Sequence, residues 1–420
     1  MIVKFILAIL SIFDIFLARL IKVFLNIYSN ISSANITSRS NTIFVVRIDN
    51  KVGDMVIFSD FIRKLYLHYP KKRIVLVAHK NQKDLYKNCP YVSSIFFFDW
   101  GKSLPLSLPF RSIRALYFIL KNDLYGDWHF GISGRYEVDF HAPFLLYLSG
   151  AKERIGYSSS ILDRKKWPMF LIDSLFTITS KDCYLVHEAY KNLYLLESKI
   201  PDILSLELKY ETWQSKNDLN TLKDKLRKIE IIPPFKIIAF GIGAYQEKKM
   251  WPLESYAKLI NMLSSDSRFN NYFFLLLGSG RDKKNGDEIF SMINYKYKKQ
   301  VRNLAGTTSL NDVNCILALT KLFIGNDSGL LHSACANSES VIGIWCHSKK
   351  SHSSHSLSPD RFGPVARKVN IIQPEKPIYP CTRFCKSSNS HCISQIKPEE
   401  VYKIISQNKF YSYKSILNMR

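Results

Sequence analysis

The chain alternates short apolar runs with longer stretches in which apolar residues recur every three or four positions, the pattern of buried strands feeding amphipathic helices. Residues 43–48 (IFVVRI), 73–78, 94–98 and 128–133 read as strands, and 55–68, 112–121, 137–148 and 187–197 as helices. Residues 150–157 read as a basic loop. The rhythm stops over residues 201–234, which are rich in Lys, Asp and Asn, hold one helix near 219–227 and end in Pro233-Pro234, so a linker is expected there. It resumes with strands at 236–240 and 272–277 and helices at 253–263 and 310–319. Residues 322–345, LFIGNDSGLLHSACANSESVIGIW, then predict strand, tight turn, helix, strand. This alternation predicts an α/β chain with open parallel sheets covered on both faces. Its 420 residues exceed the roughly 250–300 at which one core stops growing, so two similar domains are expected. Their bounds are 41–200 and 235–396, with a C-terminal segment, 397–420, whose helix packs back toward the first domain.

Residues 2–28 are mostly Ile, Leu, Phe and Val but include Lys4, Asp14, Arg19 and Lys22. At about 100° per residue, Lys4, Ser11, Asp14, Arg19, Lys22 and Asn26 share less than half of a helical wheel, and the rest is wholly apolar. A spanning helix needs about 20 uninterrupted apolar residues, whereas the longest uncharged run covers only residues 5–13. No small-residue cleavage site follows. An amphipathic helix over 1–30 is expected, lying in a membrane interface with its basic residues toward the headgroups. The competing expectations are a helix docked on the protein's own surface and, after it, an uncleaved, irregular transmembrane anchor. Residues 30–41, rich in Ser and Asn, read as a tether.

Lys and Arg number 59 against 35 Asp and Glu, a net charge of +24, which favours polyanionic partners such as an anionic membrane or a phosphorylated substrate. The basic residues are scattered and no nucleic-acid motif stands out, so nucleic acid is not an expected partner. Of eight cysteines, Cys381, Cys385 and Cys392 share a C-terminal loop with His391. CxxxC followed by HC departs from the paired CxxC spacing of zinc sites, so a zinc site is the weaker expectation, free thiols or one local disulfide the stronger, and no metal is assigned. His347, His352 and His355 lie in a Ser/His/Lys-rich stretch without accompanying carboxylates, which reads as a basic loop at the mouth of a cleft.

Open α/β sheets bind ligands outside the carboxyl ends of their strands. Three loops there carry chemistry: Asp54 after the first strand, Gly241 to Lys249 after the first strand of the second half, and Asp327-Ser328-Gly329. In the last, Asp327 or Ser328 can cap the helix, Gly329 admits a close approach, and the first-turn N–H groups favour an anion, best a phosphate. Each has a plainer reading on its own. Asp54 suits a helix start, Lys248 and Lys249 suit a solvated pair before Pro252, and His332 suits a partner for a backbone carbonyl. Together they supply what group transfer from a nucleoside diphosphate requires: a base, a cation with N–H donors for the leaving diphosphate, and groups that hold the transferred moiety.

These residues, with IFVVRIDNKVGDMVIFSDFIRKL at 43, GAKERIGY at 150, HEAYKNLYLL at 187, GAYQEKKMWPLESYAKLINML at 243, LLLGSGRD at 275, NLAGTTSLNDVNCIL at 303, GNDSGLLHSACA at 325 and the PEEVYKI tail, run in the order found in glycosyltransferase family 9. The chain resembles the ADP-heptose:lipopolysaccharide heptosyltransferases of that family over roughly residues 43–405. The resemblance implies a GT-B fold of two Rossmann-like domains and an inverting, metal-independent transfer that uses no cofactor. It implies that Asp54 is the general base and that Lys249 neutralises the diphosphate. Asp327 would hold sugar hydroxyls, Ser328, Gly329 and His332 would sit at the phosphate, and Gly243 and Asp282 would complete the donor site. Asn50, Lys51 and Arg135 are the acceptor candidates. The implied partners are a nucleotide sugar and a lipid-linked, phosphorylated glycan at the cytoplasmic side of a bacterial inner membrane. One extra residue between Arg47 and Gly53, and Ser59-Asp60 where the family often has Pro, bear on the acceptor. The alternative is a non-catalytic protein of the same fold that binds anionic lipid or nucleic acid.

Overall fold

The computed structural model describes residues 2–31, 38–99, 111–134, 141–158, 169–180, 187–353, 355–382 and 384–411. Strands β1 (Ser38–Arg47), β2 (Arg73–His79), β3 (Ser94–Phe98), β4 (Asp127–Ser133), β5 (Arg154–Tyr157) and β6 (Ile178–Ser180) form one sheet in the order β3-β2-β1-β4-β5-β6. Strands β7 (Ile237–Gly241), β8 (Phe273–Leu277), β9 (Val301–Asn303), β10 (Thr320–Asn326), β11 (Ser340–Ile344) and β12 (Val369–Ile372) form another, β12-β11-β10-β7-β8-β9. Every pairing is parallel. Each sheet runs outward from its first strand in one direction and then reverses, the doubly wound Rossmann order. The GT-B class implied by the resemblance has two such domains.

The chain forms two compact units. The first comprises Met1–Asn50, Phe61–Leu185 and Ala189–Glu207, and the second Lys51–Asp60, Val186–Glu188 and Leu208–Arg420. In the second, successive strand residues enter opposite cores. Ile238, Phe240, Phe274, Leu276 and Ile324 pack under helix Leu253–Ser265, whereas Ile237, Ala239, Leu275 and Phe323 pack with Val313, Ile316, Leu331 and Ala334. Burial on both faces is why these strands read as unbroken apolar runs.

Several expectations need correction. Residues 38–41, read as tether, are strand: Ser38 and Arg39 pair with Asp127 and Trp128, and the Arg39 guanidinium lies 4.8 Å from the Trp128 ring centroid. The basic loop at 150–157 contains β5. Strands β6, β9 and β12, of three or four residues, are too short to show periodicity and form against a sheet that already exists. The second helix begins at Val52, so Gly53 and Asp54 occupy its first turn. The helix in the expected linker, Lys216–Lys228, starts with a Ser215/Asp218 capping box and buries Leu222 and Leu226 in the second unit. Helix Pro398–Ser406, expected to pack back toward the first domain, rests on helix Leu253–Ser265 in the second.

The N-terminal helix spans Ile2–Ile31. Ser11, Asp14, Ile15, Ala18 and Leu25 are buried in the first unit. The Asp14 carboxylate accepts the backbone N–H groups of Arg111 (3.1 Å) and Ser112 (3.0 Å), capping helix Arg111–Lys121. Part of the polar arc thus faces protein rather than headgroups. The exposed side carries Ile9, Ile12, Phe13, Phe16, Leu20, Val23, Phe24 and Ile27. Among the described residues, no helix is long and apolar enough to cross a membrane.

Candidate active site

Strands β7 and β10 are neighbours where the order of the second sheet reverses, so the loops leaving them open on either side of a crevice. Asn326, at the end of β10, is fully buried. Its Oδ1 accepts the Trp251 N–H and the Tyr256 hydroxyl, both at 3.0 Å, and its Nδ2 points at the Gly241 and Ile242 carbonyls at 3.4 and 3.3 Å. One amide thereby ties together the ends of both strands and the start of helix Leu253–Ser265. Sequence reading gave Asn326 no role beyond the turn, because its partners lie about 70 to 85 residues away.

The next residue, Asp327, is 7% exposed, and its carboxylate meets Lys249 Nζ at 2.6 Å. Lys249 ends the short 3-10 turn Glu247–Lys249. Burial pulls its pKa down, but the charge and hydrogen bond of Asp327, helped by Asp54, more than offset this and hold it above the ordinary 10.5. The side chain is an ammonium at neutral pH. The expected side-chain cap is absent: Ser328 is the N-cap of helix Gly329–Asn337, yet its hydroxyl makes no cap bond and its buried Oγ has no hydrogen-bond partner. Leu331 and His332 bond back to the Ser328 carbonyl at 3.2 and 3.5 Å, and the start of the helix is left without a capping side chain.

Two glycines bring the Asp54 loop against this helix. A Cβ on Gly53 would lie 2.9 Å from His332 Cδ2, and one on Gly329 would lie 3.3 Å from Gly53 N. Only residues without a side chain fit such an approach. His332 is buried, packs its edge toward the Tyr210 ring and leaves Nδ1 without a partner. Burial pushes its pKa down to about 4, so it faces the site as a neutral imidazole. On the far wall, the Asp282 carboxylate accepts the Ser279 N–H and hydroxyl, both at 2.7 Å, and a Cβ on Gly243 would strike that carboxylate at 2.3 Å.

Lys51, Gly53, Asp54, Gly243, Lys249, Asp282, Asp327, Ser328, Gly329 and His332 all line one cavity of about 540 Å³. Its whole lining belongs to the second unit, which includes the first turn of the Asp54 helix. Asn50 is exposed and outside that lining, and Arg135 lies outside the described residues. Arg281 and Tyr245, which sequence reading missed, also line it, with the guanidinium 5.9 Å from the ring centroid. Arg281 stands beside Asp282 in GSGRD, but the motif does not say which neighbour faces the cavity. From the Ser/His loop come Ser356 and Phe362, while the His347 and His355 rings stack on each other at 5.3 Å.

The arrangement offers a half-buried carboxylate, an ammonium held by a second carboxylate, and an open helix start around one cavity, a set suited to displacing an anionic leaving group. Residues 140–391 match the profile of glycosyltransferase family 9 (heptosyltransferase). The lipooligosaccharide heptosyltransferase 2 of Haemophilus influenzae is 25% identical over 328 residues, covering 77% of this chain and 86% of that protein. The lipopolysaccharide heptosyltransferase 2 of Escherichia coli is 23% identical over 334 residues, covering 77% and 85%. Among solved structures, the E. coli ADP-heptose LPS heptosyltransferase II superposes with a TM-score of 0.66 at 20% identity, over 87% of this chain and 98% of that one. A glycosyl transferase family 9 protein from Veillonella parvula superposes with a TM-score of 0.69 at 16% identity, over 87% and 96%.

Proposed function

We propose, from the premise that this chain belongs to glycosyltransferase family 9, that it moves a heptose or related sugar from a nucleoside-diphosphate sugar, best ADP-heptose, to a lipid-linked glycan such as the lipopolysaccharide core. The observation that carries the reading is the buried Lys249–Asp327 pair opening on the same cavity as Asp54.

In this mechanism Asp54 takes the proton of the acceptor hydroxyl as its oxygen attacks the anomeric carbon. The bond from that carbon to the diphosphate oxygen breaks on the opposite face, so the configuration inverts. The departing diphosphate is met by the Lys249 ammonium and the start of helix Gly329–Asn337, with no metal required. The Asp327 oxygen not engaged by Lys249 receives a sugar hydroxyl, and Asp282 and Gly243 border the nucleotide. Asn50, Lys51 and Arg135 contact the phosphorylated acceptor. The exposed apolar stripe of the N-terminal helix lies in the membrane interface that carries the lipid-linked acceptor, at the cytoplasmic face of a bacterial inner membrane, and the +24 charge suits that surface.

Calorimetry with ADP-, GDP- and UDP-sugars, followed by transfer to a lipid-linked core glycan, tests the reading. One nucleotide sugar should bind saturably and be consumed. If none binds, the non-catalytic alternative replaces it.

A further inference from the structure

Among the described residues, one group of metal-ligand side chains converges: the donor atoms of Cys381, His391 and Cys392 lie within 4.8 Å of one another. His391 Nδ1 is 3.5 Å from Cys392 Sγ and 3.8 Å from Cys381 Sγ. A tetrahedral zinc with Zn–S of about 2.3 Å and Zn–N of about 2.0 Å sets sulfur and nitrogen about 3.5 Å apart, which matches the shorter of those two distances and is a few tenths of an ångström below the longer. Backbone N–H groups already point at two of the sulfurs, from Ile378 to Cys392 and from Lys386 to Cys381, each at 3.4 Å. Such donors steady a thiolate. Cys385 lies within side-chain hydrogen-bonding reach of Cys381, and its thiol makes a long, weak contact with the Ser387 carbonyl at 3.8 Å. Turning that thiol completes a Cys3His set, a soft-ligand combination that suits zinc.

We propose that Cys381, Cys385, His391 and Cys392 bind a structural zinc ion that braces the turn carrying Lys249. None of the four lines the transfer cavity, so the ion stands apart from the chemistry. The connection runs through Ser390, next to His391. Its hydroxyl reaches the Met250 carbonyl at 2.7 Å and the Glu247 carbonyl at 3.1 Å, on either side of Lys249. Behind the turn, Trp251 Nε1 donates to the Ile396 carbonyl at 2.9 Å. Residues 381–391 contain no helix or strand among those described, so the ion supplies the order that regular structure does not. The spacing along the chain argues against zinc; the fold gathers the donors nevertheless.

The full chain, purified under reducing conditions without chelator, should hold one zinc per chain by plasma mass spectrometry. Cys381→Ser and Cys392→Ser should lose it, and Cys335→Ala, outside the cluster, should keep it. Independently of how those variants fold, stepwise thiol modification of the unaltered protein should release the zinc to a chelating dye, and stripping should lower the melting temperature until zinc, but not magnesium, is restored. Substoichiometric metal insensitive to both serine variants, or a Cys381–Cys392 disulfide in the peptide mass spectrum, overturns the site. Ser390→Ala should keep the zinc but raise the Kd for the nucleotide sugar; an unchanged Kd overturns the brace. That last arm rests on the donor-site reading, whereas the metal content does not, so the two failures are distinguishable.

Discussion

Replacing Lys249 with Met keeps most of the side-chain volume and removes the ammonium that Asp327 contacts at 2.6 Å, in a pair whose side chains are 18% and 8% exposed. The cost is set by the carboxylate left behind. Removing one partner of a buried pair costs about 3–5 kcal/mol, and because this pair opens on a cavity the low end, about 3 kcal/mol, is appropriate. At roughly 2–4 °C per kcal/mol for a domain of this size, the transition of the second unit should fall by about 6–12 °C. Asp327→Asn added to Lys249→Met removes the stranded charge, so the double variant should regain most of the loss. Donor binding should not recover with it. A lost charge-assisted contact to diphosphate is worth about 1.5–3 kcal/mol, so Kd should rise about 10- to 150-fold in both variants. The pH dependence follows from the raised pKa of Lys249. Stability from a raised group is complete below its unfolded value near 10.5 and is lost only as pH climbs through the higher folded value. The gap between Lys249→Met and the unaltered protein should therefore stay constant from about pH 6 to 9 and close only in strong alkali. Scanning calorimetry and nucleotide-sugar titration measure both effects. Losses that simply add in the double variant would refute the coupling, and an unchanged Kd would refute the diphosphate role.

Asp54→Asn should abolish transfer while leaving melting temperature and donor Kd unchanged; normal turnover in a radiolabel assay would remove Asp54 as the base. Gly53→Ala should lower transfer, because its Cβ would sit 2.9 Å from the His332 ring and force the Asp54 turn away; full activity would show that the close approach is dispensable. The pKa of His332 is depressed to about 4 from 6.5, so its neutral form stabilises the fold above pH 6.5, and that contribution is lost as pH falls toward 4. Denaturant melts at stepped pH should show a shallower acid slope for His332→Phe, and an identical slope would place the titration elsewhere, with His347, also near 4, the first alternative. Deleting residues 1–28 should abolish co-sedimentation with anionic vesicles, whereas Asp14→Ala, which removes a helix cap, should cost about 1 kcal/mol of stability and leave vesicle binding intact.

What the sequence determined by itself was local and periodic. Unbroken apolar runs marked most of the long central strands because both of their faces are buried, and Asp54, Lys249 and Asp327 stood out because each follows within a few residues the carboxyl end of a strand. What tertiary structure decided were the relations between distant residues. Asn326 became the bracket of the site only through partners far along the chain, and Ser328 lost its capping role because its buried hydroxyl oxygen receives no backbone N–H of the helix start. The polar arc of the N-terminal helix divides between protein and surroundings, since Asp14 finds two N–H donors on another helix and no helical wheel can show them. The Cys/His loop shows the same limit most clearly. Its spacing matched no metal pattern, yet a chain folded onto the Lys249 turn brings three donors within 4.8 Å. Periodicity reports which face of an element is buried; only the packed fold sets which side chains meet across elements, because those distances depend on every intervening turn.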